Sequence, residues 1–275
     1  MLRAQRHALI GAGAGIGLSA KCAEHAGIDF IVVYNSGRDR MNGHGSMLGG
    51  MSFASANTTV LQMARQILPV VQHTPVVAGV CASDPYEHIP RLLQRLKDLG
   101  FAGVQNFPSV CLLDGSTRRE AEETGYTFAK EVAMIAQARA MDLLTVAYVR
   151  TAEECATMTE AGADILVPHV GLTTAGLIGA RTAATLDEAV ERIRTLYETA
   201  AAIRPEVLML CHGGPIVTPD DAAYVLRALP GLAGFLGASS MERVPVEKAL
   251  VTTMKAFKKL ALPDTSTPAR QEATS

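Results

Sequence analysis

Short β-branched or apolar segments alternate with longer amphipathic segments along this chain, and the alternation recurs eight times. Segments of the first kind predict buried parallel strands and segments of the second kind predict helices that cover them, so the pattern favours a βα architecture over an all-β or all-α one. The predicted strands are residues 8–11, 30–34, 76–80, 103–106, 143–148, 165–169, 207–212 and 234–237. Examples of the predicted helices are residues 57–68, capped by residues 57–59, residues 152–161 and residues 186–203.

Eight such units in a chain of 275 residues match the usual size of a (β/α)₈ TIM barrel, about 250 residues. We therefore predict an α/β fold with a single TIM barrel over residues 1–262 and a disordered C-terminal tail over residues 263–275. A doubly wound open sheet is the alternative, and it would bind a ligand at one switch point rather than around a ring of loops. Pro168 lies inside the sixth strand segment, which is compatible with a strand only if this residue ends it.

The charge balance indicates which kind of partner to expect. Lys and Arg number 25 against 27 Asp and Glu, a formal net charge of -2, which removes the main electrostatic argument for a nucleic acid or an anionic membrane. No segment approaches the roughly 20 apolar residues of a membrane span. The five cysteines form no CxxC pair, which fits a reducing, cytoplasmic compartment. We therefore expect a small molecule as partner, and the candidate anion-binding residues described below make it a small anionic metabolite. A Met-rich segment that holds Met41, Met47 and Met51 permits an interface, and filling of the core by these methionines is the alternative. We also expect a homo-oligomer.

Polar residues follow nearly every predicted strand, at the face where a TIM barrel forms its active site. Strand two leads into Tyr34, Asn35 and Ser36, while strands six and seven end at His169 and His212. Imidazole titrates near neutral pH, so two histidines at adjacent strand ends favour acid or base chemistry over two satisfied hydrogen-bonding groups. The residues predicted here to be catalytic are Tyr34, Asn35, His169 and His212.

Glycines and serines follow strands seven and eight, in the loops with which barrels often bind phosphate through backbone N–H groups. The residues predicted to bind an anion there are Gly213, Gly214, Ser239 and Ser240. Two ordinary turns are the alternative. Residues 35–56 form a long, glycine-rich predicted loop, which is typical of a lid or a binding loop. A solvated loop or an oligomer contact is the alternative. Arg38 and Arg40 in this loop can each hold a carboxylate or phosphate with two hydrogen bonds, and we assign Arg38, with Ser36, to the anion.

Acidic residues follow strands three and four. Asp84 comes after the third strand and Glu122 after the fourth, so their carboxylates are candidates to hold a Mg²⁺ ion through few direct ligands and several waters. A helix cap at Asp84 and a solvated helix start at Glu122 are the alternatives. We predict that both residues are catalytic metal ligands.

Six blocks in chain order resemble the phosphoenolpyruvate hydrolase-like family of TIM barrels, which is also described as a family of predicted signal-transduction barrels. The blocks are YNSGR at 34–38, GVQNFP at 103–108, EETG at 122–125, HVGLTT at 169–174, LCHGGP at 210–215 and GASSMER at 237–243. The resemblance extends from about residue 11 to residue 259. Similar barrels form the C-terminal part of a plant antiviral inhibitor protein.

The resemblance implies the phosphoenolpyruvate/pyruvate barrel superfamily, whose members make or break C–C, C–P or P–O bonds next to a 2-oxo acid, commonly with Mg²⁺. In better-known members a pair of acids follows strand three and a Glu follows strand four. Here Asp84 is similar to one acid of the pair, and Tyr86 stands where the second is expected. Glu122 or Glu123 matches the Glu.

Two functions are consistent with these residues. The first is a metal-assisted lyase or hydrolase acting on a small 2-oxo acid or on a phosphoenolpyruvate- or phosphonopyruvate-like substrate. In it the metal stabilises an enolate, and His212 or His169 moves the proton. The second is a non-catalytic regulatory barrel that senses an anionic metabolite, because one barrel fold hosts many functions.

Overall fold

The computed structural model describes residues 7–182 and 184–262, and within them the strands close into a parallel barrel. The strands follow one another around the barrel in chain order, and the last pairs with the first through Leu9 opposite Gly234. Their bounds are β1 Leu9–Gly13, β2 Phe30–Val33, β3 Val76–Val80, β4 Gly103–Asn106, β5 Leu144–Val149, β6 Ile165–Pro168, β7 Leu208–Cys211 and β8 Gly234–Gly237. The predicted TIM barrel is therefore confirmed, and the open-sheet alternative is wrong. The tail predicted at residues 263–275 lies outside the described residues.

Ten α-helices are found in the described part of the chain, most of them between successive strands. They are α1 Gly17–His25, α2 Asn35–Met41, α3 Ala56–Ile67, α4 Ile89–Leu99, α5 Gly115–Glu123, α6 Phe128–Ala140, α7 Ala152–Glu160, α8 Leu186–Ile203, α9 Pro219–Ala228 and α10 Arg243–Lys258. Helix α8 has its predicted bounds because Thr185 and Glu188 form a capping box, in which each side chain accepts the backbone N–H of the other residue. Within the described ranges, no helix has both the length and the apolar character that crossing a bilayer requires.

The start of α3 differs from the prediction. Residues 57–59 were expected to cap this helix. The N-cap is Ser55 instead, and its hydroxyl accepts the N–H of Thr58 at 3.2 Å. Asn57 is buried instead, and its amide accepts the N–H of Cys81 at 2.9 Å and donates to the carboxylate of Asp84 at 3.1 Å. A residue type that suits a cap is thus used for a long-range contact, which the local sequence does not reveal.

Alternate residues of each strand point into the barrel, because side chains along a strand alternate between its two faces. Glycine in β1 makes room for large neighbours there. A Cβ on Gly11 would come within 2.7 Å of Leu236 and would also collide with the ring of Phe30. The barrel interior is therefore a packed core, and any ligand must bind at its end.

The end of β6 brings two predicted site residues together. Pro168 is the last residue of this strand, which satisfies the constraint that a proline places on a parallel sheet. His169, the next residue, pairs with His212 in an isolated parallel bridge beyond the ends of β6 and β7. Both histidines therefore lie at the carboxyl end of the barrel.

Residues 35–56 are only partly a loop, which corrects the prediction. Helix α2 begins directly after β2, and Ser46–Gly50 forms a 3₁₀ helix that we call the roof segment. The Ser36 hydroxyl donates to the carbonyl of Ser46 at 2.7 Å. This hydrogen bond ties the roof segment to the start of α2, above the carboxyl end of the barrel.

Candidate active site

A cavity of about 30 Å³ lies at the carboxyl end of the barrel, beneath the roof segment, and we call it the mouth cavity. The lining residues that carry polar or titratable groups near its floor and walls include Tyr34, Ser36, Arg40, Tyr148, His169, His212 and Ser239. Five of these were predicted site residues, whereas Arg40 and Tyr148 were not assigned to the site. The volume is enough for one or two water molecules.

Tyr148 and His212 form a hydrogen-bonded pair in the mouth cavity. The Tyr148 hydroxyl lies 3.1 Å from Nε2 of His212, and Nδ1 of the same ring lies 2.7 Å from the carbonyl oxygen of Leu236. A carbonyl oxygen only accepts, so Nδ1 carries the ring proton and Nε2 of the neutral ring accepts the proton of Tyr148. Burial, together with the charge of Arg40, lowers the pKa of His212 to about 4. The ring is therefore a neutral proton acceptor at pH 7.

His169 completes the ring cluster. Its ring centroid lies 5.2 Å from that of Tyr148 and 5.1 Å from that of His212. Nδ1 of His169 accepts the N–H of Gly171 at 3.3 Å, so the proton of the neutral ring is on Nε2. Burial and the neighbouring His212 lower the pKa of His169 well below its ordinary value. The neutral acceptor Nε2 of His212 and the neutral N–H donor Nε2 of His169 therefore lie in adjacent rings.

A buried network holds the backbone of Tyr148. Asn106 accepts the Tyr148 N–H at 2.7 Å and donates to the Tyr148 carbonyl at 3.1 Å. Glu131 accepts hydrogen bonds from Asn106, from the Ser109 hydroxyl and from the Val110 N–H, each at 2.7 Å. Burial raises the pKa of Glu131 to about 8 although these three donors lower it. The network fixes β5 at the point where Tyr148 enters the cavity.

Arg40 lines the mouth cavity, and the predicted anion ligand Arg38 does not face the same way. The two residues are two positions apart in α2, so their side chains leave the helix on different sides. Arg38 points outward and donates to Gln62 and Thr59, each at 2.9 Å. Arg40 is buried, with its guanidinium carbon 5.3 Å from the centre of the Tyr34 ring. The sequence held no signal that separates the two arginines.

Arg40 forms a buried ion pair with Glu242. Nη2 of Arg40 lies 3.3 Å from one carboxylate oxygen of Glu242, and the other oxygen accepts the N–H of Gly15 at 2.6 Å. Burial opposes the charge of Arg40, but Tyr34 and Glu242 outweigh burial, and the pKa of Arg40 is raised. Nε of Arg40 is buried and has no hydrogen-bond partner among the described residues. In the described part of the chain, Nε therefore keeps an N–H without an acceptor, which a bound molecule reaches when the packing around Arg40 shifts.

The three residues after β2 have different surroundings. Tyr34 and Ser36 line the mouth cavity. Asn35 lines a separate cavity of about 270 Å³ together with Arg38. Its Nδ2 donates to the carbonyl of Gly49 in the roof segment at 2.7 Å. Asn35 thus holds the roof segment in place.

Gly213 and Gly214 pack against the loop that follows β6. Their φ angles are 80° and 56°, a left-handed conformation that favours glycine. A Cβ on Gly213 would collide with the carbonyl oxygen of Gly171, and the N–H of Gly214 already donates to that oxygen at 2.7 Å. The geometry of this loop fits the alternative of a structural turn.

The two serines after β8 differ in their surroundings. Ser239 lines the mouth cavity, whereas the next residue, Ser240, is half-buried and is not among the residues that line it.

Asp84 and Glu122, the predicted metal ligands, lie in different surroundings. Asp84 lines a neighbouring cavity of about 360 Å³. Its carboxylate accepts hydrogen bonds from Asn57 at 3.1 Å and from the Tyr86 N–H at 3.0 Å. Glu122 pairs with Arg118 at 3.4 Å. Each carboxylate is thus engaged by its own protein partners.

The donor set of the mouth cavity does not fit the Mg²⁺ ion that the family resemblance implies. Mg²⁺ takes carboxylate and water oxygens, whereas the described residues that line this cavity include no Asp or Glu. Across residues 7–182 and 184–262, no three His, Cys, Asp or Glu side chains form a group that could hold a metal ion. The charge of Arg40 also opposes a second cation in so small a space. The Mg²⁺ site at Asp84 and Glu122 stays a prediction.

Comparison with known proteins relates the whole barrel to a family. A model described as phosphoenolpyruvate hydrolase-like matches residues 2–260. The ToMV susceptible protein tm-1(GCR26) of tomato, Solanum lycopersicum, is 51% identical over 254 residues, which are 92% of this chain and 34% of that protein. Protein y4pA of Sinorhizobium fredii is 37% identical over 251 residues, which are 91% of this chain and 41% of that protein. The chain thus spans well under half the length of these curated relatives.

Solved structures of low sequence identity share the fold. A phosphoenolpyruvate phosphomutase from Streptomyces platensis subsp. rosaceus aligns with a TM-score of 0.63 at 17% identity, over 94% of this chain and 85% of that one. Oxaloacetate acetylhydrolase in complex with 3,3-difluorooxalacetate gives 0.59 at 17% identity, over 98% and 88%. Phosphonopyruvate hydrolase in complex with oxalate and Mg²⁺ gives 0.55 at 17% identity, over 97% and 88%. Because the family model covers nearly the whole barrel and the fold agrees with it, this chain belongs to the phosphoenolpyruvate hydrolase-like family.

Proposed function

We propose that this chain is a hydrolase or lyase that acts in the mouth cavity on a small 2-oxo acid or on a phosphoenolpyruvate- or phosphonopyruvate-like substrate. One observation carries the proposal: a buried arginine with a free donor and a neutral proton acceptor, Arg40 and His212, line the same cavity. Two solved neighbours support the substrate class, because they were solved with the small anions 3,3-difluorooxalacetate and oxalate.

The ring cluster has the groups to move a proton at a defined atom. The Tyr148 oxygen takes a proton from the substrate or from a water molecule while Tyr148 passes its own proton to Nε2 of His212. His169 keeps its proton on Nε2 and donates a hydrogen bond through it to the oxygen on which negative charge develops. The proton transfer and this hydrogen bond both occur among buried rings, where hydrogen bonds are stronger than in water.

The roof segment controls entry in this proposal. Ser46, Met47 and Gly50 line the mouth cavity from above, and its volume of about 30 Å³ is enough for one or two water molecules rather than for a 2-oxo acid. The roof segment therefore moves outward to admit the substrate and returns to exclude bulk water.

Mg²⁺ has no assigned step in the proposed reaction. A neighbour of the same fold holds Mg²⁺ with oxalate, which supports metal use among proteins of this fold. In this chain, Asp84 and Glu122 are engaged outside the mouth cavity. The proposed chemistry therefore uses the protein's own hydroxyl, imidazole and guanidinium groups.

A substrate screen tests the proposal, with His212→Asn as the diagnostic variant. The purified chain is incubated with oxaloacetate, phosphonopyruvate, phosphoenolpyruvate and other 2-oxo acids, and products are followed by ¹H and ³¹P NMR. We expect turnover of at least one compound and a loss of kcat of about 100-fold or more in His212→Asn, with an unchanged circular dichroism spectrum. Absence of turnover across the panel contradicts the proposal. Tight binding without turnover, insensitive to His212→Asn, identifies the sensing barrel instead.

We also propose that the chain forms a homo-oligomer through α10. Among the described residues of this helix only Arg243 is buried. Val246, Leu250, Met254 and Phe257 are exposed by 37%, 51%, 63% and 68%. Their spacing of three or four residues places them on one face of the helix, and a contiguous apolar face of this kind is typical of an interface. A second copy of the chain, which carries the same face, would cover it.

A further inference from the structure

The mouth cavity has one formal charge among its described lining residues, the guanidinium of Arg40. The two histidines in the lining are neutral, since burial lowers the pKa of His212 to about 4 and lowers that of His169 well below its ordinary value. The remaining polar groups are hydroxyls and backbone groups. An anion that enters the cavity therefore meets one fixed positive charge and no lining carboxylate.

The surroundings of Arg40 hold it in place and leave part of it free. A Cβ on Gly13 would lie 3.3 Å from Nη2, so glycine in β1 gives the guanidinium room. Glu242 accepts from Nη2 alone, and its second oxygen is committed to the N–H of Gly15. Nε is buried and, within the described ranges, makes no hydrogen bond. A buried donor without a partner costs free energy, so this arrangement favours an acceptor supplied by a ligand.

A carboxylate is the acceptor that suits this donor. The planar guanidinium can offer two parallel N–H groups to the two oxygens of a carboxylate, and such pairs are stronger than neutral hydrogen bonds. We infer, building on the proposed function, that Arg40 binds the carboxylate of the 2-oxo acid directly and supplies the positive charge of the site, so that this chain binds its substrate without a divalent metal.

Oxalate is the probe for this inference, measured by isothermal titration calorimetry with the full chain. Wild type is expected to bind oxalate equally well in EDTA and in Mg²⁺. Arg40→Lys keeps a cation beside Glu242 but loses the planar pair of donors, so we expect binding to weaken roughly ten-fold or more. Arg38→Lys is the matched control on the outer side of α2, and its affinity is expected to stay that of wild type.

The oxalate affinity of Glu242→Gln is a second test. The expected change is tighter binding, whereas a misfolded variant would bind oxalate more weakly. The amide oxygen of the new side chain still accepts the N–H of Gly15, while the negative charge next to Arg40 is removed. Oxalate is expected to bind several-fold more tightly to this variant, because Arg40 keeps its full positive potential. Unchanged or weaker binding by Glu242→Gln counts against the inference.

The outcomes separate this inference from the proposed function. Oxalate binding that requires Mg²⁺, disappears in Asp84→Asn and is unchanged in Arg40→Lys overturns the inference and leaves the proposed function standing. A failure of oxalate to bind in either buffer contradicts both.

Discussion

The hydroxyl of Tyr148 lies 3.1 Å from Nε2 of His212, although the two residues are 64 positions apart in the chain. The carbonyl oxygen of Leu236, on β8, lies 2.7 Å from the other ring nitrogen and determines which nitrogen carries the proton. Strand β5, the end of β7 and strand β8 thus together present one neutral imidazole acceptor and one hydroxyl to the mouth cavity.

Tyr148→Phe is expected to lower kcat by about 100-fold and to leave KM nearly unchanged. The substitution removes the hydroxyl that passes the proton to His212 and keeps the aromatic ring that packs against both histidines. Steady-state kinetics on the substrate found in the screen measure the effect. Tyr126→Phe is the matched control, because Tyr126 lines the neighbouring cavity rather than the mouth cavity. Equal kcat values for Tyr148→Phe and wild type would remove Tyr148 from the mechanism.

His212 is expected to make the fold less stable in mild acid. Its pKa is about 4 in the folded chain against an ordinary value of 6.5. Between these two values the unfolded chain binds a proton that the folded chain does not, so the free energy of unfolding falls as the pH drops. One pKa unit corresponds to about 1.4 kcal/mol, so the full effect is about 3 kcal/mol.

The measurement compares urea unfolding of wild type and His212→Asn at pH 7.5 and near pH 4, values chosen from the ordinary and lowered pKa. The comparison cancels the contributions of titrating groups that His212 does not influence, such as Glu131, whose raised pKa acts in the opposite direction. The pKa of His169 depends on His212, so part of the measured difference belongs to this pair of rings. Wild type is expected to lose stability relative to the variant on going to the acid buffer. A difference between the two proteins that does not change with pH would show that His212 titrates normally.

Gly213→Ala is expected to destabilise the fold more than Gly43→Ala. The φ angles of the two glycines are 80° and 88°, so each substitution costs about 1 to 2 kcal/mol for the left-handed backbone alone. A Cβ at Gly43 meets nothing within 4 Å, whereas a Cβ at Gly213 collides with the carbonyl oxygen of Gly171. The clash adds about 1 to 3 kcal/mol, which urea unfolding detects. Equal losses would show that the loops after β6 and β7 are not in close contact.

The combined substitutions Leu250→Glu and Phe257→Glu are expected to convert an oligomer into monomers. Both residues lie on the exposed apolar face of α10, where a charge opposes burial against a second copy. Sedimentation velocity and light scattering give the mass of each protein. Lys248→Glu is the control, because Lys248 lies on the opposite side of the same helix. A monomeric wild type contradicts the proposed interface.

The barrel and five of the polar residues that line the mouth cavity could be predicted because their signals are local. A buried parallel strand shows as a short apolar run, and the residue that leaves such a run lies at the mouth of the barrel. Within the described residues, each of the eight predicted runs contains a strand, and His169 and His212 lie at the ends of adjacent strands. The proline in the sixth run also gave a local signal, because a proline is compatible with a parallel strand only at its end. Pro168 is the last residue of β6.

The tertiary structure decided which polar groups meet. Nothing in the sequence around α2 distinguishes Arg38 from Arg40, because the face that a helix turns toward a cavity depends on what it packs against. Packing buries Arg40 beside Tyr34 and Glu242 and leaves Arg38 half-buried on the outer side of α2. The sequence by itself therefore determined the barrel and its polar end, whereas long-range packing decided that the charge at that end belongs to Arg40 and that Tyr148 and His212 form a pair.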